Sequence, residues 1–133
     1  MNELRYRAMT GNLTGASVLI LEDEAIISFD LELTAQEMGA ARTVCAFSLR
    51  EAQAAMRAER FDAAILDVNL PDGSSEQLAL QLAQAGTLVI FHTGHGERET
   101  LCSQCPPAGF VAKPSSPQQI ADELGRMRAA AAD

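Results

Sequence analysis

Short, almost continuous apolar runs recur along this chain, and each ends in polar residues that lead into a helical pattern. Val18-Leu19-Ile20-Leu21, Ala63-Ala64-Ile65-Leu66 and Leu88-Val89-Ile90-Phe91 are unbroken, as strands buried on both faces must be. Thr43 to Phe47 is less apolar and suits a strand nearer an edge, and Gly109-Phe110-Val111-Ala112 is the fifth run. Strands that alternate with helices form a parallel sheet, with right-handed crossovers and helices on both faces. That one constraint removes most other architectures.

The intervening segments carry helix signals. From Ala25 to Met38, Ile26, Phe29 and Leu33 share one face, which Ile27, Leu31 and Met38 widen into the expected core stripe. Gly39 suits the C′ position after it. Ser48 with Glu51, and Ser74 with Gln77, have the spacing of capping boxes. They open helices to about Glu59 and Gly86. Ser116-Pro117-Gln118-Gln119 combines an N-cap, a proline at the first helical position and a glutamine at the third, and starts a helix to about Ala130. Gly96 to Cys105 is a weaker helical stretch, stopped by Pro106-Pro107. The order is (βα)5, so the expected fold is α/β, a doubly wound, flavodoxin-like sandwich with sheet order 2-1-3-4-5. The expected organisation is an N-terminal extension over residues 1–16, one domain over 17–130, and no output module after it.

Composition narrows the function. A formal net charge of −8 and a pI of about 4.7 oppose nucleic acid or an anionic membrane as direct partners. No apolar run reaches transmembrane length, and the N-terminus lacks the apolar stretch of a signal peptide. Three cysteines without an export signal read as reduced thiols in a cytoplasm.

In a sheet of this kind the site lies beyond the carboxyl ends of the strands, at the switch point between the first and third. The first strand ends in Glu22-Asp23-Glu24, the third in Asp67, the fourth in His92-Thr93-Gly94 and the fifth in Lys113-Pro114. Clustered carboxylates repel one another and call for a cation, and hard oxygen ligands with room for water suit Mg²⁺. A carboxylate beside that ion can carry a phosphoryl group as an acyl phosphate. Lys113 is the chain's only lysine; the other nine cations are arginine. Pro114 disfavours the α conformation at Lys113 and keeps it extended at its strand end, where a mobile point charge meets an incoming phosphoryl group. Thr93 offers it a hydroxyl donor.

The segments VLILEDE, DAAILDVNLPDG, VIFHTGHG and GFVAKPSSPQQI, in this order and spacing, resemble the receiver domain of two-component response regulators from about Ser17 to Arg128. The resemblance implies that Asp67 is the phosphoacceptor. It implies that Glu22, Asp23, Asp67 and the backbone carbonyl of Asn69 hold Mg²⁺, and that Thr93 and Lys113 contact the phosphoryl group. Thr93 and Phe110 would form the switch. Glu22 stands where the family more often has aspartate, and Gly73 comes sooner after the phosphoacceptor than in most members. Phe91-His92-Thr93-Gly94-His95 is similar to the Phe-Ala-Thr-Gly-Tyr signature of a stand-alone subgroup, with histidine at two positions. The implied partners are a sensor histidine kinase or histidine phosphotransfer protein and a downstream protein. The implied role is phosphorelay signal transduction, not enzymatic turnover beyond slow self-dephosphorylation. Monomer and homodimer are both compatible with the sequence.

Other readings are weaker. A degenerate receiver that binds a partner without phosphorylation would not need Asp67, Thr93 and Lys113 together. A hydrolase with an aspartyl-phosphate intermediate usually has a second acid two residues after its nucleophile, where Asn69 stands. A flavin or nucleotide binder would have a glycine-rich loop in place of Glu22-Asp23-Glu24. His92, His95, Cys102 and Cys105 are zinc ligand types. However, His92 must point away from the crevice that Thr93 faces, so two unrelated histidines and two thiols are expected.

Overall fold

A computed structural model of the chain describes residues 13–94 and 108–132. Five strands form one parallel sheet: β1 (Ser17–Leu21), β2 (Arg42–Ala46), β3 (Ala63–Asp67), β4 (Leu88–Thr93) and β5 (Gly109–Ala112). Their spatial order is β2-β1-β3-β4-β5, the expected doubly wound order. The helices are α1 (Ala25–Glu37), α2 (Leu49–Ala58), α3 (Glu76–Gln84) and α4 (Pro117–Ala132). A small antiparallel hairpin pairs Asn69–Leu70 with Gly73–Ser74, directly after β3. The weak helical stretch at 96–105 lies outside the described residues.

The sheet separates two cores, and strand alternation assigns each side chain to one of them. Leu19, Leu21, Ala64, Leu66, Val89 and Phe91 face α2 and α3, where Ala52, Leu78, Ala79 and Leu82 close the layer. Val18, Ile20, Ile65, Ile90 and Val111 face α1 and α4, meeting Leu31, Ala35, Ile120 and Leu124.

The apolar stripe of α1 is not the expected one. Ile26, Phe29 and Leu33 are 80%, 59% and 40% exposed, whereas Ser28, Leu31, Thr34 and Ala35 are buried. Helix α1 carries two apolar stripes, so periodicity alone does not choose between them. The small side chains Ser28 and Ala35 let the helix approach β1 closely, with Ile27 and Met38 at the margin of the core. A stripe with the bulk of Ile26 and Phe29 would hold the helix further from the sheet.

The capping signals have mixed outcomes. The hydroxyl of Ser48 accepts the N–H of Glu51, while the Glu51 carboxylate accepts the N–H of Phe47, one residue beyond the usual partner. At α4 the box is reciprocal: Ser116 Oγ accepts from Gln119 N–H at 3.3 Å, and Gln119 Oε1 accepts from Ser116 N–H at 2.7 Å. At α3 the expected box does not form. The helix begins at Glu76, Ser74 Oγ accepts the Glu76 N–H, and the Ser75 hydroxyl turns to the carbonyl of Asp67 instead.

Leu13 and Ala16, within the segment read as an extension, are part of the α1-side core. Leu13 N–H donates to Met38 O at 2.8 Å and Gly15 N–H to Gly39 O at 3.0 Å. Gly39 has φ +95°, and a Cβ there would lie 2.9 Å from Thr14 Oγ1 and 3.0 Å from Thr14 Cα. Both its backbone and its surroundings therefore require glycine. The two faces of α1 can be told apart by urea unfolding. Leu31→Ala should cost about 2–4 kcal/mol, whereas Ile26→Gln should leave stability within about 0.5 kcal/mol of the parent.

Candidate functional site

Strand ends at the carboxyl edge of the sheet bring the site together. Backbone pairing holds each end in place: Glu22 N–H donates to Ala46 O at 3.0 Å, and Lys113 N–H donates to Thr93 O at 2.7 Å. Glu22 is completely buried, Asp67 is 7% exposed and Asp23 is exposed. One carboxylate oxygen from each of these three residues lies within 4.8 Å of the others. Lys113 spans the strand ends from β5, with Nζ 3.1 Å from Glu22 Oε1 and 3.2 Å from Asp67 Oδ2.

Asp67 is fixed from three directions. Its Oδ1 accepts the N–H of Val68 at 2.8 Å, its Oδ2 faces Lys113, and its carbonyl accepts the buried Ser75 hydroxyl at 2.6 Å. Sequence reasoning assigned the capping role to Ser74 and missed the anchoring role of Ser75. Two adjacent serines offer no signal as to which one caps and which turns inward. Asn69 is exposed at the start of the hairpin, two residues beyond Asp67.

Thr93 ends β4, is 4% exposed and pairs with Ala112 of β5. His92 projects to the opposite face, towards α1, where it lines a cavity with Ile27 and Leu31. The expectation that His92 and Thr93 point apart is met. His95, Cys102 and Cys105 lie outside the described residues. Phe110 is half-buried and stacks on Phe91, with ring centroids 5.7 Å apart and planes 26° from parallel. Its N–H donates to Glu123 Oε2 of α4 at 2.7 Å.

The electrostatics follow from burial. Burial is the main cause that pushes the Glu22 carboxyl up to about 8; the neighbouring Asp67 carboxylate adds to this, and Lys113 opposes it. Its Oε2 is buried without a hydrogen-bond partner. Burial disfavours the Lys113 ammonium, but the hydrogen bond it donates to Glu22 and the charges of Asp67 and Glu22 outweigh it and raise its pKa. His92 is pushed down to about 4, chiefly by burial and then by the Lys113 charge, which keeps its imidazole neutral. Three hard oxygen donors within 4.8 Å of one another, from Glu22, Asp23 and Asp67, fit a divalent cation such as Mg²⁺.

The response regulator receiver domain model matches residues 18–125. This chain belongs to that family. It is 33% identical over 106 residues to the phyllosphere-induced regulator PhyR of Methylorubrum extorquens, a match over 77% of this chain and 40% of PhyR. The PhyR receiver domain of Erythrobacter litoralis superposes with a TM-score of 0.71 at 30% identity, over 85% of this chain and 89% of that one. The chemotaxis response regulator CheY4 of Vibrio cholerae superposes with a TM-score of 0.73 at 27% identity, over 85% and 98%. The chain is thus a receiver domain of two-component signalling, and receivers generally bind Mg²⁺ through an acidic cluster of this kind. Among the described residues, no helix is long and apolar enough to cross a membrane.

The raised Glu22 pKa fixes the sign of a pH effect. A folded value of about 8 against an ordinary 4.5 means that the protonated carboxyl favours folding. That contribution is complete below about pH 4.5 and is lost as pH rises through about 8. With EDTA present, Glu22→Gln should therefore melt at a higher temperature than the parent at pH 8. The gap should close towards pH 5 in thermal melts across that range.

Proposed function

We propose that this receiver works by phosphorylation of Asp67, with a phosphohistidine on a sensor kinase or a phosphotransfer protein as donor. An Asp67 carboxylate oxygen attacks phosphorus, the phosphorus–nitrogen bond breaks, and its electron pair stays on the departing imidazole, which takes up a proton. The product is an acyl phosphate on Asp67. The observation that carries this reading is the Lys113 ammonium, held 3.1 and 3.2 Å from Glu22 and Asp67 at the mouth of a three-carboxylate cluster.

Each residue then has a task that matches its position. Glu22, Asp23 and Asp67, with the Asn69 backbone carbonyl, would hold Mg²⁺. When bound, the ion would neutralise charge on the phosphoryl oxygens. Lys113 pairs with the phosphoryl group once Asp67 carries it as the acyl phosphate. The Thr93 hydroxyl donates to a phosphoryl oxygen and is drawn towards it. Because Lys113 N–H is bound to the Thr93 carbonyl and Phe110 stacks on Phe91, a movement of Thr93 reaches the β4–β5 edge. There Phe110 exchanges between two packings, and a protein-binding surface is biased between two states.

The output is binding to, or release of, another protein, and the chain acts in the cytoplasm as a switch with at most slow self-dephosphorylation. An acidic surface supports a protein partner over nucleic acid. As the chain spans 40% of the length of PhyR, the activity of that whole regulator is not carried over.

Intact-protein mass after incubation with acetyl phosphate and Mg²⁺, and separately with a histidine kinase, tests the reading. One phosphoryl adduct should form, and it should be absent with Asp67→Asn or EDTA. Absence of an adduct with both donors would overturn it in favour of a phosphorylation-independent binding module.

A further inference from the structure

His92 takes no part in the chemistry above, yet it is buried at the strand position next to Thr93. It is 3% exposed, and its Nε2 lies 2.8 Å from the Ser115 hydroxyl. Ser115 is two residues past Lys113, in the loop that joins β5 to α4. A cavity of about 250 Å³, lined by His92, Lys113, Pro114 and Ser115, lies between this loop and Ile27, Asp30, Leu31 and Thr34 of α1. Packing against α1 therefore does not fill the space beneath the loop.

A purely structural role accounts poorly for a histidine here. Its Nδ1 is buried with no partner, and an unsatisfied buried polar atom is destabilising. What the imidazole adds is a rigid, neutral hydrogen-bonding group that spans from β4 to the loop. The loop is tied to β4 at two adjacent levels, by Lys113 N–H to Thr93 O at 2.7 Å and by Ser115 to His92. Ser116 then caps α4. The two ties bracket Lys113 and Pro114, so the stem of the lysine leaves a backbone fixed on both sides.

We propose that His92 is a positioning residue for Lys113, holding Ser115 so that the lysine ammonium stays between Glu22 and Asp67. The proposal rests on the reading that this ammonium serves phosphoryl transfer to Asp67. Thr93 and His92 divide the work by strand alternation: one side chain serves the crevice and the other holds the loop from behind.

The single lysine makes a direct test available. Protein carrying ¹³C,¹⁵N-lysine has one lysine side-chain signal, and it reports on Lys113 without any phosphorylation. His92→Ala and Ser115→Ala should each move that signal towards the position of free lysine and slow adduct formation from acetyl phosphate by about tenfold. The double variant should match the single ones, since one hydrogen bond is lost only once. His92→Gln, which keeps a nitrogen at the ε position, should restore signal and rate in the presence of Ser115 but not with Ser115→Ala. Thermal melts identify any variant that fails to fold, and the loop variant Ser115→Ala then carries the test. An unmoved lysine signal in folded variants, or effects that add in the double variant, would overturn the proposal. If the parent takes no phosphoryl group, the proposed function fails, while the lysine signal still decides whether His92 positions Lys113.

Discussion

One cation holds the carboxyl edge of this sheet together. Glu22 and Asp67 come from strands that are neighbours in the sheet but far apart in sequence, and Lys113 reaches both at 3.1 and 3.2 Å. Two buried carboxyl groups at such a distance cannot both stay charged without compensation. The molecule uses two remedies: the Lys113 ammonium, and a Glu22 carboxyl pushed up to about 8. Both can be undone by a divalent ion or a phosphoryl group, which changes the charge that the pocket must balance. The cluster is therefore poised for a charged ligand, and its stability without one is a compromise.

The fold supplies this arrangement through the geometry of a parallel sheet. All five strands point the same way, so their carboxyl ends meet at one edge and polar residues there converge without loops of special shape. The two apolar layers behind the edge keep the strands from sliding. The ties that set individual side chains are few and short. Ser75 secures the Asp67 carbonyl at 2.6 Å, the Thr93 carbonyl receives Lys113 N–H at 2.7 Å, and His92 meets Ser115 at 2.8 Å. These ties join the strand ends to the residue before α3, to β4 and to the loop before α4.

Glutamate in place of the more usual aspartate at position 22 fits this picture. Its side chain is completely buried, one oxygen is committed to Lys113, and the other has no protein partner. The longer side chain reaches the ammonium and leaves its second oxygen unpaired. The resting pairing of Glu22 with Lys113 is thus a direct competitor of any cation that recruits the same carboxylate.

The sequence by itself determined the alternation of strands and helices, and with it the sheet order, because continuous apolar runs separated by amphipathic segments can be buried on both faces in few ways. It also determined which residues end the strands, and so the acids, the threonine and the lysine of the site. The reciprocal box at Ser116 was equally legible, since capping depends on residues three apart. Tertiary structure decided what depends on distance between elements. The core face of α1 was settled by how closely a helix with Ser28 and Ala35 can approach β1, not by its periodicity. Ser75 was diverted from capping because the Asp67 carbonyl lies within reach of its hydroxyl. The pairing of His92 with Ser115, and the raised pKa of Glu22, follow from contacts and burial between segments that no local pattern encodes.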